Sequence, residues 1–154
     1  MIETPQLAET ATQHTAVIHF RIPRGEMPRV MGPGVDELLS TLGAQGIVPA
    51  GPLFTHHFKM EPGLFDFDLG WPVATPVGDA GRVRASQLLV TKVARTVYHG
   101  SYEGLPAAWG EFMDWIVAQG HKPSGDLWEC YVVGPADGCD AAGWRTQLNR
   151  PLTD

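Results

Sequence analysis

A chain of 154 residues with 44% hydrophobic and 18% charged side chains can bury a real core and is too apolar to be disordered. Its net charge of -6, with Lys and Arg scattered and densest only around Arg82, Arg84, Lys92 and Arg95, argues against direct binding to nucleic acid, which needs a basic patch. No apolar run approaches the ~18 residues of a membrane-spanning helix, so no membrane partner is expected. Residues 1–15 also lack the basic and apolar segments of a signal peptide. Cys130 and Cys139 form no CxxC pair, and two thiols fit a reducing cytosol, so the expected location is cytoplasmic.

In chain order, residues 1–12 are polar and read as a loose arm. Residues 15–22 alternate Val17, His19 and Arg21 with Ile18, Phe20 and Ile22, a strand pattern stopped by Pro23. Pro33 can open a helix, with Val35, Leu38, Leu39 and Leu42 at helical spacing and Gly43 and Gly46 ending it. Strands over 53–60 and 64–73 follow, joined by the tight-turn signal Glu61-Pro62-Gly63. The Pro/Gly-rich stretch from Ala74 to Arg84 marks a boundary. Beyond it the order recurs. A long strand runs from Leu88 to about Tyr98, and a helix after Pro106 carries Leu105, Trp109, Phe112 and Ile116 on one stripe. Strands near 127–134 and 144–150 complete the copy.

The recurrence is visible residue by residue. Residues 44–54 set over 118–128 are identical at six of eleven positions, with Phe54 over Trp128. The same offset of 74 pairs Glu37 with Glu111, Leu38 with Phe112, Leu39 with Met113, Leu42 with Ile116 and Arg21 with Arg95. The expected fold is therefore α+β: a tandem, pseudo-twofold duplication of a β-α-β-β unit, each antiparallel sheet carrying one helix, with a ligand groove between the halves. The chain reads as one domain over 1–154, with repeat one at about 13–75, a linker at about 76–86 and repeat two at about 87–152.

Glu129 is the leading site candidate. It lies in Leu127-Trp128-Glu129-Cys130-Tyr131-Val132-Val133, and alternation puts it on one face with Leu127, Tyr131 and Val133. Both faces are apolar, so a carboxylate there is expensive without a partner or ligand. Thr55 is its counterpart in the first copy, so the duplication carries the charge on one side only. The alternative is a Glu at the solvent rim or paired with Arg95 or Lys92. As a binding group, Glu129 would be counter-charge to a cation stacked on Tyr131, Tyr98 or a Trp. As a catalyst, its desolvated carboxyl would hold a water as general base.

Trp71 shares a strand face with Phe65, Phe67 and Leu69, and is either a groove residue or packing; Asp66 and Asp68, opposite, read as a solvated face. Trp109 reads as core. Tyr98 and Tyr102 flank His99-Gly100-Ser101, where they either offer hydroxyls to a ligand or pack a strand–helix corner. His56 and His57, adjacent on a strand, point to opposite faces and cannot chelate one ion. His99, His121, Cys130 and Cys139 show no ligand spacing, so no metal is expected. No Gly-x-Gly-x-x-Gly, P-loop or Gly-x-Ser-x-Gly occurs, and no cofactor is expected.

The order Tyr98-His99-Gly100-Ser101-Tyr102, then Trp109 with Trp115-Ile116, Gly120, Trp128-Glu129-Cys130-Tyr131 and Trp144 to Pro151-Leu152 resembles the GyrI-like effector-binding family, the duplicated module also found at the C-terminus of AraC-type and MerR-type multidrug regulators. The resemblance spans about Thr15 to Leu152. It implies a groove that takes small hydrophobic molecules, often cationic or planar, for sequestration or sensing. Glu129 would be the buried counter-charge, and Tyr131, Tyr98, Trp71, Tyr102 and His57 the candidate ligand contacts. Some stand-alone members look like cofactor-independent hydrolases of reactive cyclopropane-bearing natural products. That alternative makes Glu129 the general base, paired with Trp71 or Tyr131. Other readings are a protein-interaction module inhibiting a partner enzyme such as gyrase, and a tetrapyrrole binder using His57. No helix-turn-helix precedes the module, so a stand-alone member is expected.

Overall fold

The structure, a computed structural model, describes residues 2–153, with backbone alone at Lys59, Met60, Glu61 and Ala136. In chain order its elements are β1 (Gln6–Glu9), β2 (Gln13–Pro23), α1 (Met27–Ala44), β3 (Phe54–Glu61), β4 (Leu64–Pro72), β5 (Arg84–Leu88), β6 (Lys92–His99), α2 (Leu105–Ala118), β7 (Leu127–Val133) and β8 (Arg145–Pro151). Short 3-10 turns fill several connections. The chain divides into two compact units, Ala11–Val90 and Met1–Thr10 with Thr91–Asp154.

In the first-repeat unit β4 pairs antiparallel with β3 and β2, and β2 with β5. Leu38 and Leu42 of α1 are 0% and 1% exposed and pack on Ile18, Phe20, Phe67 and Leu69, whereas Leu39 turns outward. Gly34 lets the helix lie close to this sheet, because a Cβ there would meet Leu69 Cδ2 at 2.9 Å and Phe20 Cζ at 3.2 Å. The helix begins six residues before Pro33. Pro28 occupies its first turn, where no N–H is required, and Pro33 sits inside on the exposed side. The turn at Pro62-Gly63 is as expected, with Gly63 at φ 71.

In the second-repeat unit β8 pairs antiparallel with β7 and β6, and β6 with β1. Phe112 and Ile116 of α2, both fully buried, pack with Ala94, Leu148 and Leu152. They stand 74 residues after Leu38 and Leu42, and Ala108 stands 74 after Gly34. The β-α-β-β unit is thus built twice with the same helix face inward.

Two expectations are corrected. The N-terminal segment is a strand, held to β6 by the β1 ladder, by Glu3 N–H to Val97 O at 2.9 Å and by Thr96 Oγ1 to Glu3 O at 2.7 Å. Its polar sequence hid an edge strand, where exposed positions need no apolar side chain. The strand expected from Leu88 to Tyr98 is two strands: β5 ends at Leu88 on β2, β6 starts at Lys92, and Leu89 and Val90 between them are exposed. A run such as Leu88-Leu89-Val90-Thr91 has the same strand propensity whether or not its residues pair.

Candidate functional site

Glu129 sits mid-way along β7, opposite Leu148 of β8, and its side chain faces α2. It is 8% exposed. Trp109, one turn before Phe112 on α2, donates its indole N–H to Oε2 at 2.6 Å. Tyr131, two residues along the same strand face, donates its hydroxyl to Oε1 at 2.8 Å. Burial raises the carboxyl above its usual range, and the two hydrogen bonds oppose that rise in part. Among the described residues no Lys, Arg or His pairs with this carboxylate. Arg95 instead donates to Asn149 Oδ1 at 2.7 Å, and Asn149 stands opposite Trp128, on the other face of the strand.

The apolar stripe of α2 predicts Trp109 as a core residue. It does pack there, 5.7 Å from the Phe112 ring, and its N–H also reaches the acid. The available signal was the offset of 74, which sets Trp109 over Val35 just as it sets Glu129 over Thr55.

Tyr102 stands beside this pair. Its ring meets the Tyr131 ring edge-on at 5.7 Å and lies 4.9 Å from the Trp144 ring. Burial, then the charges of Glu129 and Asp137, push its hydroxyl pKa upward. Tyr98, 6% exposed, donates its hydroxyl to Ser101 O at 2.8 Å and so closes the corner that carries Tyr102. Gly100 makes that corner at φ 134, and Gly104 leaves space for the Tyr98 hydroxyl, which a Cβ would overlap. Gly104→Ala is expected to break the Tyr98–Ser101 hydrogen bond and cost about 1–3 kcal/mol, measurable by urea unfolding. An unchanged midpoint would show that the corner relaxes freely.

Trp71 and His57 belong to the first-repeat unit. Trp71 lies on β4 opposite Ala16 and packs against that unit's core. His57, the counterpart of Tyr131 at the offset of 74, is 5% exposed between the rings of Phe65 and Phe67, at 5.3 and 5.1 Å. Its Nδ1 has no hydrogen-bond partner among the described residues. Burial, with the nearby charges of His56 and Arg24, pushes its pKa down to about 4.

The expectation of a solvated face for Asp66 and Asp68 is corrected. His19 of β2 lies between them, each ring nitrogen 2.9 Å from one carboxylate, and the acids are only 18% and 14% exposed. Alternation along β4 showed which way they point, but only the β2–β4 register brings the imidazole to them. Burial raises the Asp68 pKa, against the lowering effect of His19. Among the described residues no three of His, Cys, Asp and Glu are grouped to hold a metal ion. No helix among them is long and apolar enough to cross a membrane.

No protein-family model and no curated protein sequence matches the chain. Solved structures do. The EcmrR C-terminal domain superposes with a TM-score of 0.86 at 17% identity, covering 98% of both chains. The fold is GyrI-like. In the EcmrR–DNA complex the same likeness spans only 57% of the EcmrR chain. SAV2435 bound to tetraphenylphosphonium matches with a TM-score of 0.63 at 13% identity, covering 98% of this chain and 94% of that one. A hydrolase from Listeria innocua matches with a TM-score of 0.68 at 12% identity, covering 97% and 91%. Within the GyrI-like fold of this chain, the buried acid with its indole and phenol donors lies in the second repeat, where the first has Thr55, Val35 and His57.

Proposed function

We propose that this protein binds small hydrophobic molecules, cationic or planar, with Glu129 as the buried counter-charge, and that its role is sequestration or sensing. The observation that carries the reading is the Glu129 carboxylate itself. It is buried and hydrogen-bonded by two neutral donors, and no cationic side chain among the described residues neutralises it. A buried charge in that state is costly, and a bound cation would offset the cost. The rings of Trp109, Tyr131 and Tyr102 suit a delocalised cation, whose charge interacts with aromatic faces without needing a hydrogen bond. The structural likeness to a protein bound to tetraphenylphosphonium supports the ligand class and supplies the probe.

Titration with tetraphenylphosphonium by calorimetry is expected to show saturable binding to wild type. Glu129→Gln keeps the shape and removes the charge, and is expected to weaken binding by about 1–3 kcal/mol, roughly 5- to 150-fold. Equal affinity in both proteins would sink the counter-charge role.

A hydrolytic reading rests on the raised pKa of the same carboxyl, which suits a general base taking a proton from a water that attacks an electrophilic carbon. Incubating wild type and Glu129→Gln with a cyclopropane-bearing electrophile separates the two readings. Hydrolysis by wild type alone supports catalysis, and no product from either supports binding.

A further inference from the structure

The duplication contains its own control. In the first repeat, β3 and β4 are joined by the tight turn Pro62-Gly63. In the second, the equivalent strands β7 and β8 are joined by the long loop 134–144. The longer connection therefore occurs in the copy that carries the buried acid, while the other copy has Thr55 at that position.

Both ends of this loop converge on one side chain. At its start, a Cβ on Gly134 would lie 2.8 Å from the Tyr102 hydroxyl, so the loop backbone passes directly against that oxygen. Gly134 N–H is bonded to Asp137 Oδ2 at 2.8 Å, and Asp137 is close enough for its charge to act on the Tyr102 hydroxyl. At its end, the Trp144 ring packs 4.9 Å from that of Tyr102, and Trp144 O accepts from Gly100 N–H at 3.1 Å. Tyr102 in turn meets Tyr131, the donor to Glu129. A contact chain thus runs from loop to acid: Trp144, Tyr102, Tyr131, Glu129.

We propose that loop 134–144 is a gate over the Glu129 site, with the Tyr102–Trp144 contact as its closing face, and that these two side chains set the size of the molecule that reaches the carboxylate. The inference rests on Glu129 being a ligand site. The ring contact is one aromatic pair at the surface end of the chain, of a strength that thermal motion can break, whereas the Trp109 and Tyr131 donors are anchored on α2 and β7. Opening at Trp144 would admit ligand without dismantling the charge site.

The test compares wild type with Trp144→Ala, with Tyr102→Leu, and with a version whose residues 134–144 are replaced by Pro-Gly, copying the first repeat. One readout needs no ligand: the titration of the Glu129 carboxyl carbon by NMR. A gate predicts that all three variants move this titration toward the ordinary carboxylate range, the shortened loop most, because each lets water reach the acid. The second readout is stopped-flow binding of tetraphenylphosphonium. A gate predicts that association and dissociation both become at least roughly tenfold faster in Trp144→Ala, so the rates change more than the affinity. If the shortened loop does not fold, the two point variants decide. An unmoved titration in folded variants overturns the gate, and so do unchanged rates. A moved titration in a protein whose wild type does not bind the cation supports the gate and overturns the ligand class instead.

Discussion

Phe112→Ala is expected to lower the unfolding free energy by about 3–5 kcal/mol, the range for emptying a fully buried aromatic position. Phe112 is 0% exposed, and α2 presents it with Ala108 and Ile116 to Leu148 and Ala94 of the sheet. Its neighbours cannot collapse into the space without moving α2, because Trp109, one turn away, is tied to Glu129 across the helix–sheet gap. The loss should therefore reach the site. The cavity removes the ring that Trp109 packs against, so the Trp109 ring is less firmly placed and tetraphenylphosphonium binding should weaken even under conditions where the variant is fully folded. Phe112→Leu keeps most of the volume and should cost much less. Urea unfolding measures the first effect and calorimetry at low temperature the second. A loss below about 1 kcal/mol would mean that α2 settles onto the sheet without Phe112.

Acidification is expected to destabilise the fold through His57 by about 3 kcal/mol between pH 7 and pH 4. The folded-state pKa is depressed to about 4 from the ordinary histidine value of 6.5, so the folded protein binds fewer protons than the unfolded chain in that window. The associated stability is present in full above pH 6.5 and is lost as pH falls through that value toward 4. The cause is structural: the ring lies between Phe65 and Phe67 with Nδ1 unpartnered among the described residues, so a proton there would charge a desolvated group. Glu129 has the opposite sign. Its raised pKa means that its contribution is present at low pH and lost as pH rises through the folded value. His57→Phe isolates the first effect. The difference in unfolding free energy between wild type and variant should slope between pH 6.5 and 4 and flatten above it. A flat difference throughout would refute the assignment.

Much of this architecture can be read from the chain because a repeated supersecondary unit repeats its packing constraints. The helix-and-strand segment copies at a single offset, and the structure places Leu38 with Phe112, Leu42 with Ile116 and Thr55 with Glu129 in matching positions. Even an irregularity is duplicated. The ladder slips between His57 and Lys59 and again between Tyr131 and Val133, turning Phe58 and Val132 outward. The acid was legible because an ionisable residue inside an apolar strand breaks the pattern on both faces.

That single offset fails in β2 and β4. The cross-strand rows set Phe20, Phe67 and His57 against Tyr98, Thr146 and Tyr131, so the first strand copies at 78 rather than 74. Arg95 is thereby the counterpart of Val17 and not of Arg21, and the two arginines that pair in the aligned sequence do not pair in the fold. Loop lengths between strands carry no periodicity, so only the ladder fixes which residues share a row. The unit, its repetition and the odd acid are legible in the chain, because these depend on local pattern and burial. Tertiary structure brings Trp109 to the acid, sets His19 between Asp66 and Asp68, and ends loop 134–144 against Tyr102. Each of these joins residues from different elements, and hydrogen-bond geometry over such separations follows from register and helix docking, which no local pattern encodes.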